Sequence, residues 1–217
     1  MITLYGLGLS LYVRKVRIIL EEKGLDYEFD PVVPGQLPEE LKKMTPLGKI
    51  PFLKDGDFHV SDSSVISTYL DKKYPQKSVY PDSAESLAKA LWYEEYSDTK
   101  VTEVISGIFF ERVGKPALMG MEADEEVIKE KEAQFPVVFS YLEESVKDKH
   151  YLVDDRLTVA DIALVTNLIN YAALGYEFDK AQYPCLAAYS TRMMTQPAVA
   201  KVMAKERAEM QAMKESA

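Results

Sequence analysis

The sequence predicts an α/β domain followed by an all-helical domain. Strand-like and helix-like runs alternate over residues 1–76, whereas only helix-period segments follow residue 86. The stretch between them contains Pro81 among small polar and charged residues, a composition typical of linkers. We therefore predict domains at residues 1–76 and 87–217, joined by a linker at residues 77–86.

The first domain is predicted to follow the order β-α-β-α-β-β-α. Residues 2–5 form an apolar run typical of a strand, and residues 12–23 place apolar side chains at helical spacing before Gly24, a natural helix end. Asp55-Gly56-Asp57 lies between two apolar runs and therefore predicts a β-hairpin. The remaining predicted elements are a strand at 27–32, a short helix at 37–44 and a helix that begins at 62–64.

The second domain is predicted to contain helices alone. Thr158 and Asp161 are spaced as a capping box, in which each side chain bonds the other residue's backbone at a helix start. We therefore assign both residues a structural role in folding. The predicted helices cover residues 87–113, 122–146, 159–174, 184–194 and 198–212.

Charge and hydropathy narrow the possible functions. Residues 81–217 carry 15 basic and 24 acidic side chains and residues 1–80 carry 11 of each, so the second half holds the whole excess of −9. A net-acidic surface repels phosphates, and we expect no nucleic-acid partner. No apolar run approaches the roughly 18 residues that a membrane span needs, and the N-terminus has no leader-like character, so we expect a cytoplasmic protein with no membrane partner.

The cysteine and histidine content limits the available chemistry. Cys185 is the only cysteine, which excludes an intrachain disulfide and a Cys-rich metal site. His59 and His150 lie far apart in the sequence, which disfavours a histidine-based triad or zinc site. We therefore expect no metal, and catalysis by other groups.

Three turns of the first domain carry residues suited to anion binding. Ser10 lies at the start of the first helix, where free backbone N–H groups favour an anion, and Asp62 with Ser63 opens another helix in the same way. Pro51 opens an apolar strand, and a cis peptide before it would expose the backbone of Ile50. Ordinary helix caps and a trans proline explain each turn taken alone. Because a βαβ-ββα order brings all three to one edge of the sheet, a joint site is the stronger interpretation.

The three motifs of the first domain are Leu4-Tyr5 with Ser10-Leu11-Tyr12-Val13-Arg14-Lys15-Val16, then residues 45–53, TPLGKIPFL, and residues 62–70, DSSVISTYL. In these ordered motifs and a fourth in the second half, the chain resembles the cytosolic glutathione transferases, and the likeness covers nearly the whole sequence. The resemblance implies a thioredoxin-like glutathione-binding domain and a helical bundle. The fourth motif is the capping box, followed by an apolar helix.

The resemblance implies roles for individual residues. Ser10 matches the serine that hydrogen-bonds the glutathione sulfur in serine-type classes, and Pro51 matches the cis-proline of the family. Lys49 and Ile50 match contacts to the glycyl carboxylate and the cysteinyl backbone. Asp62 and Ser63 match the acidic-serine pair that receives the γ-glutamyl amine and carboxylate, although Glu is commoner than Asp at the first position.

Two tyrosines are alternatives to Ser10 as the group that activates the thiol. Some classes of the family use a tyrosine near the end of the first strand, where this chain has Tyr5, and Tyr12 lies on the first turn of the helix. We prefer Ser10 because it keeps the serine-type spacing to Val13 and Arg14. The absence of a cysteine at this position argues against thiol-disulfide exchange.

The resemblance also implies partners. A small, hydrophobic electrophile is expected in a pocket lined by Tyr12, Tyr96, Phe109 and Arg112, with Trp92 and Tyr93 nearby in the sequence, although residues at this spacing also form ordinary helical cores. The family pairs subunits as homodimers, in which Asp98 would reach the partner's glutathione.

Conjugation of glutathione to an electrophile is therefore the leading function. Three alternatives use the same fold and co-substrate, namely an isomerase, a dehalogenase and a peroxidase. The maleylacetoacetate isomerase type shows a Ser-Ser-Cys turn where this chain has Ser10-Leu11-Tyr12, which disfavours it. A further alternative is a transferase-like binding module without catalysis.

Overall fold

The computed structural model describes residues 1–215, apart from the side chains of residues 213 and 214. The described chain divides into two compact units. The first contains residues 1–80 together with the described residues from Thr195 onward, and the second contains Pro81–Met194. The division between Tyr80 and Pro81 falls inside the segment that the sequence predicts as a linker.

The first unit begins with the predicted order β-α-β-α-β-β-α. Gly24 ends the first helix in the left-handed conformation, with φ of 67°, which glycine adopts at little cost. The elements are β1 (Ile2–Gly6), α1 (Leu11–Lys23), β2 (Tyr27–Pro31), α2 (Glu39–Lys42), β3 (Phe52–Asp55), β4 (Phe58–Ser61) and α3 (Ser63–Lys73).

The four strands form one mixed sheet in the order β2-β1-β3-β4. β1 and β2 are parallel, and the remaining neighbours are antiparallel. Leu4 on β1 pairs with Leu53 on β3, and both side chains are fully buried. The sheet therefore confirms the predicted change from parallel to antiparallel pairing at the hairpin.

The second unit consists of helices. Its first helical stretch contains two π-helical segments, and the predicted helix at 122–146 is wrong because the chain breaks at residues 133–134, just before Pro136 at the start of the next helix. The elements are α4 (Ala84–Tyr96), π1 (Ser97–Ser106), α5 (Gly107–Phe109), π2 (Phe110–Gly114), α6 (Lys115–Met119), α7 (Glu125–Glu132), α8 (Phe135–Val146), α9 (Val159–Ala173) and α10 (Pro184–Met194).

α9 forms the core of the second unit, with residues 159–171 all buried. Its polar side chains are hydrogen-bonded, as burial requires. Asn167 accepts a hydrogen bond from Ser106 Oγ at 2.8 Å, and Asn170 Nδ2 donates to the same hydroxyl at 3.0 Å. This network fixes α9 against π1.

The capping box at the start of α9 is confirmed. The Asp161 carboxylate accepts hydrogen bonds from the backbone N–H and the hydroxyl of Thr158, both at 3.0 Å. It accepts two more, from the backbone N–H of Leu152 and the hydroxyl of Tyr189, both at 2.8 Å. Asp161 therefore ties α9 to the preceding loop and to α10.

The last helix, α11 (Pro197–Glu215), corrects the predicted domain limits. The sequence assigns residues 87–217 to one helical domain, of which residues 216 and 217 lie outside the described chain. In the structure α11 packs on α1 and belongs to the first unit. The physical reason is charge: α1 buries Arg14 and Arg17, and α11 supplies the carboxylates that they require.

The Asp55 carboxylate at the end of β3 accepts three hydrogen bonds. The donors are Lys73 Nζ and Tyr74 Oη, both at 2.7 Å, and Tyr69 Oη at 3.0 Å. Burial disfavours the ionised form, but these hydrogen bonds outweigh burial and hold the pKa of Asp55 below its usual value. Because the folded-state pKa is the lower one, this stabilisation is complete above the unfolded-state pKa and is lost as the pH falls through the folded-state pKa.

We expect Asp55→Asn to lower the free energy of unfolding at neutral pH by about 1–3 kcal/mol, because an amide cannot replace the charge-assisted bonds. The deficit should shrink as the pH falls below about 4, where aspartate in the unfolded chain becomes protonated. Urea unfolding at a series of pH values measures both effects. Asp57→Asn, at an exposed turn position, is the control and should cost little at any pH. A deficit that stays constant across the acid range would contradict the assignment.

Candidate functional site

Ser10 is the N-cap of α1 and follows a tight turn after β1. Its backbone N–H donates to the Leu7 carbonyl at 3.0 Å, and its hydroxyl oxygen accepts from the backbone N–H of Val13 at 3.5 Å, a long and weak cap. Within residues 1–215 the Ser10 O–H donates no hydrogen bond, and the first turn of α1 carries no acidic side chain. The hydroxyl and the positive end of the helix are thus available to an anion.

Tyr5 lies on the other face of the sheet. Gly6, the next residue of β1, faces α1, because a Cβ added there would lie 2.4 Å from Val13 Cγ2. Successive residues of a strand point to opposite faces, so the Tyr5 ring points away from α1. It stacks on Phe52 at 4.7 Å between ring centroids, and burial together with the nearby acidic groups raises the pKa of its hydroxyl. This geometry favours Ser10 over Tyr5 as the group at the α1 terminus.

Asp62 holds an unusual backbone conformation at the start of α3. Its φ is 81°, a region that side-chain-bearing residues rarely adopt. One carboxylate oxygen accepts from the backbone N–H groups of Ser64 at 3.0 Å and Val65 at 3.2 Å. Asp62 is therefore a helix cap, which is one of the two roles that the sequence predicts for it, the other being a ligand contact. Its carboxylate is also exposed to solvent.

Ser63 is buried, with 5% of its surface exposed, yet its hydroxyl makes no hydrogen bond to any described residue. Among the described residues its oxygen is not one of the buried polar atoms that lack a partner, so the hydroxyl reaches solvent and is open to a ligand. The neighbouring Ser64 hydroxyl accepts from Lys15 Nζ at 3.0 Å. The free hydroxyl of Ser63 at a helix N-terminus is suited to donate to a carboxylate.

The loop that ends in Pro51 is braced from within. The buried Thr45 hydroxyl donates to the Lys49 carbonyl at 2.7 Å, and the Gly48 N–H donates to the Thr45 carbonyl at 2.8 Å. The Ile50–Pro51 peptide is cis, as the resemblance implies. Lys49 is exposed, so its ammonium group is available to an anion.

The structure brings the three predicted segments together. The Asp62 N–H donates to the Pro51 carbonyl at 3.3 Å, which joins the start of α3 to the cis-proline loop. Lys15, five residues after Ser10, joins α1 to Ser64 on α3. Two helix N-termini, a free hydroxyl at each and an exposed lysine thus surround one edge of the sheet, and this arrangement suits a ligand with several anionic groups.

Comparison with known proteins identifies the family. Residues 4–78 match the family model described as "Glutathione S-transferase, N-terminal domain", and residues 101–197 match "Glutathione S-transferase, C-terminal domain". Glutathione S-transferase F7 of Arabidopsis thaliana is 30% identical over 212 residues, covering 93% of this chain and 99% of the relative. The chain belongs to the glutathione S-transferase family.

Solved structures of the family agree with this assignment. A glutathione S-transferase from Rhodospirillum rubrum is 26% identical with a TM-score of 0.85 and covers 93% of this chain and 91% of its own. A glutathione S-transferase-I bound with lactoylglutathione is 27% identical with a TM-score of 0.84, at coverage of 94% and 98%. The glutathione transferase fold is therefore shown for this chain.

Lys15 and Thr45 are the site-bracing residues that the sequence interpretation missed. Lys15 is fully buried and falls four residues after Leu11 and four before Ile19, which are both on the buried side of α1. That spacing places it on the core face of the helix, so a bonded partner for its ammonium group could have been predicted. Thr45 lies in a loop, where periodicity carries no such signal.

The electrophile-binding role of the residues named in the second unit remains a prediction. Tyr96 packs with Tyr141 at 4.7 Å between ring centroids, whereas Arg112 lies 3.4 Å from a Glu125 carboxylate oxygen. Phe109 is half-buried on α5, thirteen residues beyond Tyr96. The transferase fold thus places these side chains in separate environments along one helical stretch.

Tyr12 and Asp98 remain predictions. Tyr12 is half-buried on the first turn of α1, close in sequence to Ser10. Asp98 is half-buried on π1 of the second unit. Among the described residues, no group of three or more histidine, cysteine or acidic side chains is arranged to hold a metal ion, and no helix combines the length and apolar character of a membrane span.

Proposed function

We propose that this protein binds glutathione, stabilises its thiolate and transfers the sulfur to a small, hydrophobic electrophile in the cytoplasm. The observation that carries the proposal is the free hydroxyl of Ser10 at the positive end of α1. A free thiol has a pKa near 8.5 and is therefore mostly protonated at neutral pH. Because the thiolate is the nucleophile, a transferase must favour the anion. One unit of pKa corresponds to about 1.4 kcal/mol, which one charge-assisted hydrogen bond can supply.

The remaining site residues suit the two arms of glutathione. We assign the γ-glutamyl carboxylate to the Ser63 hydroxyl and the α3 N-terminus, and the γ-glutamyl amine to Asp62. The glycyl carboxylate is assigned to Lys49, and the cysteinyl backbone to Ile50 beside Pro51. The bound lactoylglutathione of the solved relative supports a glutathione-type ligand for this family member.

Turnover with a panel of electrophiles, combined with calorimetry of glutathione binding, tests the proposed function. We expect glutathione to bind and at least one electrophile to be conjugated. If glutathione binds but no conjugation, isomerisation, dehalogenation or peroxide reduction is detected, the protein is a non-catalytic binding module instead. No glutathione binding at all would contradict the proposal.

Ser63→Ala is expected to weaken glutathione binding about fivefold or more, because loss of a sheltered, charge-assisted bond costs roughly 1–3 kcal/mol. Calorimetry measures the affinity directly. The control is Thr68→Val, which removes the exposed hydroxyl one turn further along α3 and should leave the affinity unchanged. Unchanged affinity in a folded Ser63→Ala protein would show that residues 62 and 63 are not the γ-glutamyl site.

We also propose a homodimer, since the family pairs subunits and the near-neutral residues 1–80 can meet the acidic residues 81–217 of a second copy. Static light scattering at micromolar concentration should give twice the mass of 24.6 kDa. Asp98 is proposed to reach the partner's glutathione, so Asp98→Asn should weaken glutathione binding in a protein that remains dimeric. A strictly monomeric mass would contradict the dimer.

A further inference from the structure

Two arginines of α1 are buried against two glutamates of α11. Arg14 Nε lies 2.9 Å from one Glu206 carboxylate oxygen and 3.0 Å from the other. Arg17 Nη1 donates to Glu209 at 2.9 Å, and its Nη2 donates to the second oxygen at 2.5 Å. Both pairs join residues 192 positions apart in the sequence. The three-residue spacing is the same on each helix, so the two helices dock through two matched ion pairs.

The Arg17 pair is enclosed by neighbours of the first unit. The Arg17 side chain is 1% exposed, its Nε lies 3.4 Å from the Tyr27 hydroxyl, and its guanidinium lies over the Phe29 ring at 4.6 Å. A bidentate, sheltered arginine-carboxylate pair is geometrically specific and hard to displace. Glu209 is therefore held in one orientation although a third of its side chain reaches solvent.

The Glu209 carboxylate also lies directly against the turn before Ser10. A Cβ added at Gly8 would be 2.7 Å from Glu209 Oε2 and 3.7 Å from Arg17 Nη1. Gly8 is in the Leu7–Ser10 turn, whose closing hydrogen bond fixes the Ser10 backbone. Through Glu209, α11 thus packs against the turn that positions the Ser10 hydroxyl.

We propose that Glu209 is a positioning residue for Ser10. Together with Arg17 it holds the Leu7–Ser10 turn in the geometry that directs the Ser10 hydroxyl toward the bound thiolate. The inference rests on the proposed function, and it extends the activating machinery to a helix almost 200 residues further along the chain.

The opposite end of α1 provides an internal control. Glu21 is paired with Lys201 and Lys205 of α11, and it lies eleven residues from Ser10, about 16 Å along a helix. Lys205 also lies over the ring of Tyr27, which contacts Arg17, so Lys201 is the cleaner control. Removing Lys201 weakens the same helix-helix docking far from the turn. If α11 had only a structural role, weakening its contact with either end of α1 would have the same effect on kcat.

The experiment compares Glu209→Gln with Lys201→Met, which removes an ion pair at the opposite end of α1. For Glu209→Gln we expect amide hydrogen exchange of residues 8–13 to quicken about fivefold or more in the free protein, because the turn loses its support. We expect kcat to fall about tenfold, the pKa of the bound thiol to rise, and KM for glutathione to stay within about twofold. Lys201→Met should match wild type in all these readouts, whatever its loss of thermal stability.

Gly8→Ala, which keeps Glu209, leaves the proposal testable if Glu209→Gln folds poorly. Gly8→Ala should reproduce the slower turnover, because its methyl group meets the Glu209 carboxylate, and it should cost less in a Glu209→Ala background, where that space is open. The proposal would be overturned if the effects of Gly8→Ala and Glu209→Ala on kcat were additive. It would also be overturned if the substitutions at the two ends of α1 lowered kcat equally. If wild type binds no glutathione, the proposed function fails on its own, while hydrogen exchange in the free protein still decides whether Glu209 holds the turn.

Discussion

Asp161→Ala is expected to lower the free energy of unfolding by about 3–5 kcal/mol, the range of large effects on buried polar networks. Asp161 is fully buried, and its carboxylate accepts four hydrogen bonds. Alanine would leave the backbone N–H groups of Leu152 and Thr158 and the hydroxyl of Tyr189 buried without that acceptor. Burial raises the pKa of Asp161, and the four donors oppose that rise because they favour the ionised form.

Denaturant unfolding of the purified variants measures this loss. Asp161→Asn keeps the shape and one acceptor oxygen, so it should cost less than alanine. The control is Asp179→Ala, a cap on an exposed turn of the same unit with a single side-chain bond to the Ala181 N–H. That substitution should cost about 1 kcal/mol, as loss of a cap does. A loss below about 1 kcal/mol for Asp161→Ala would contradict the structural role, given the cost of leaving donors unpaired.

Ser10→Ala is expected to reduce turnover far more than glutathione affinity. The hydroxyl is proposed to contact only the sulfur, whereas most binding contacts lie on the peptide arms of glutathione. Its loss therefore falls on the reactive thiolate form. Removing one such donor is worth about 1–3 kcal/mol, or roughly 5- to 150-fold in kcat.

The matched control for Ser10→Ala is Tyr5→Phe, which removes the hydroxyl of a ring stacked on Phe52. Its effect on kcat should be small, since that ring faces away from α1. Helix content and thermal stability of Ser10→Ala should change little, because the Val13 cap it removes is long. A loss of glutathione affinity with kcat unchanged would show that Ser10 binds glutathione uniformly and does not favour the thiolate.

Local patterns predicted the first unit from β1 to α3. Helix spacing, Gly24 and the Asp55-Gly56-Asp57 turn are signals carried by neighbouring residues, and short-range steric rules decide their outcome. The capping role of Asp161 was predictable for the same reason. Its bonds to Leu152 and Tyr189 were not, since they depend on how loops and helices pack.

The position of α11 could not be predicted from periodicity. A helical pattern shows that one face is buried but leaves its partner open, and here the partner lies at the opposite end of the chain. Arg14 and Arg17 gave an unused signal: two cations inside an apolar helix face need acidic partners, and Glu206 and Glu209 have the matching three-residue spacing. The different neighbours of Tyr96 and Arg112, Tyr141 and Glu125, were likewise invisible, because sequence spacing does not show which side chains surround each turn.

Titration of the thiolate absorbance of bound glutathione tests the central claim most directly. We expect a depressed thiol pKa in wild type and a nearly wild-type value in Tyr5→Phe. In Ser10→Ala the thiol pKa should be higher by about 1–2 units, which corresponds to the loss of one strong donor. A shift in Tyr5→Phe without a shift in Ser10→Ala would contradict the central claim and assign the activation to the tyrosine.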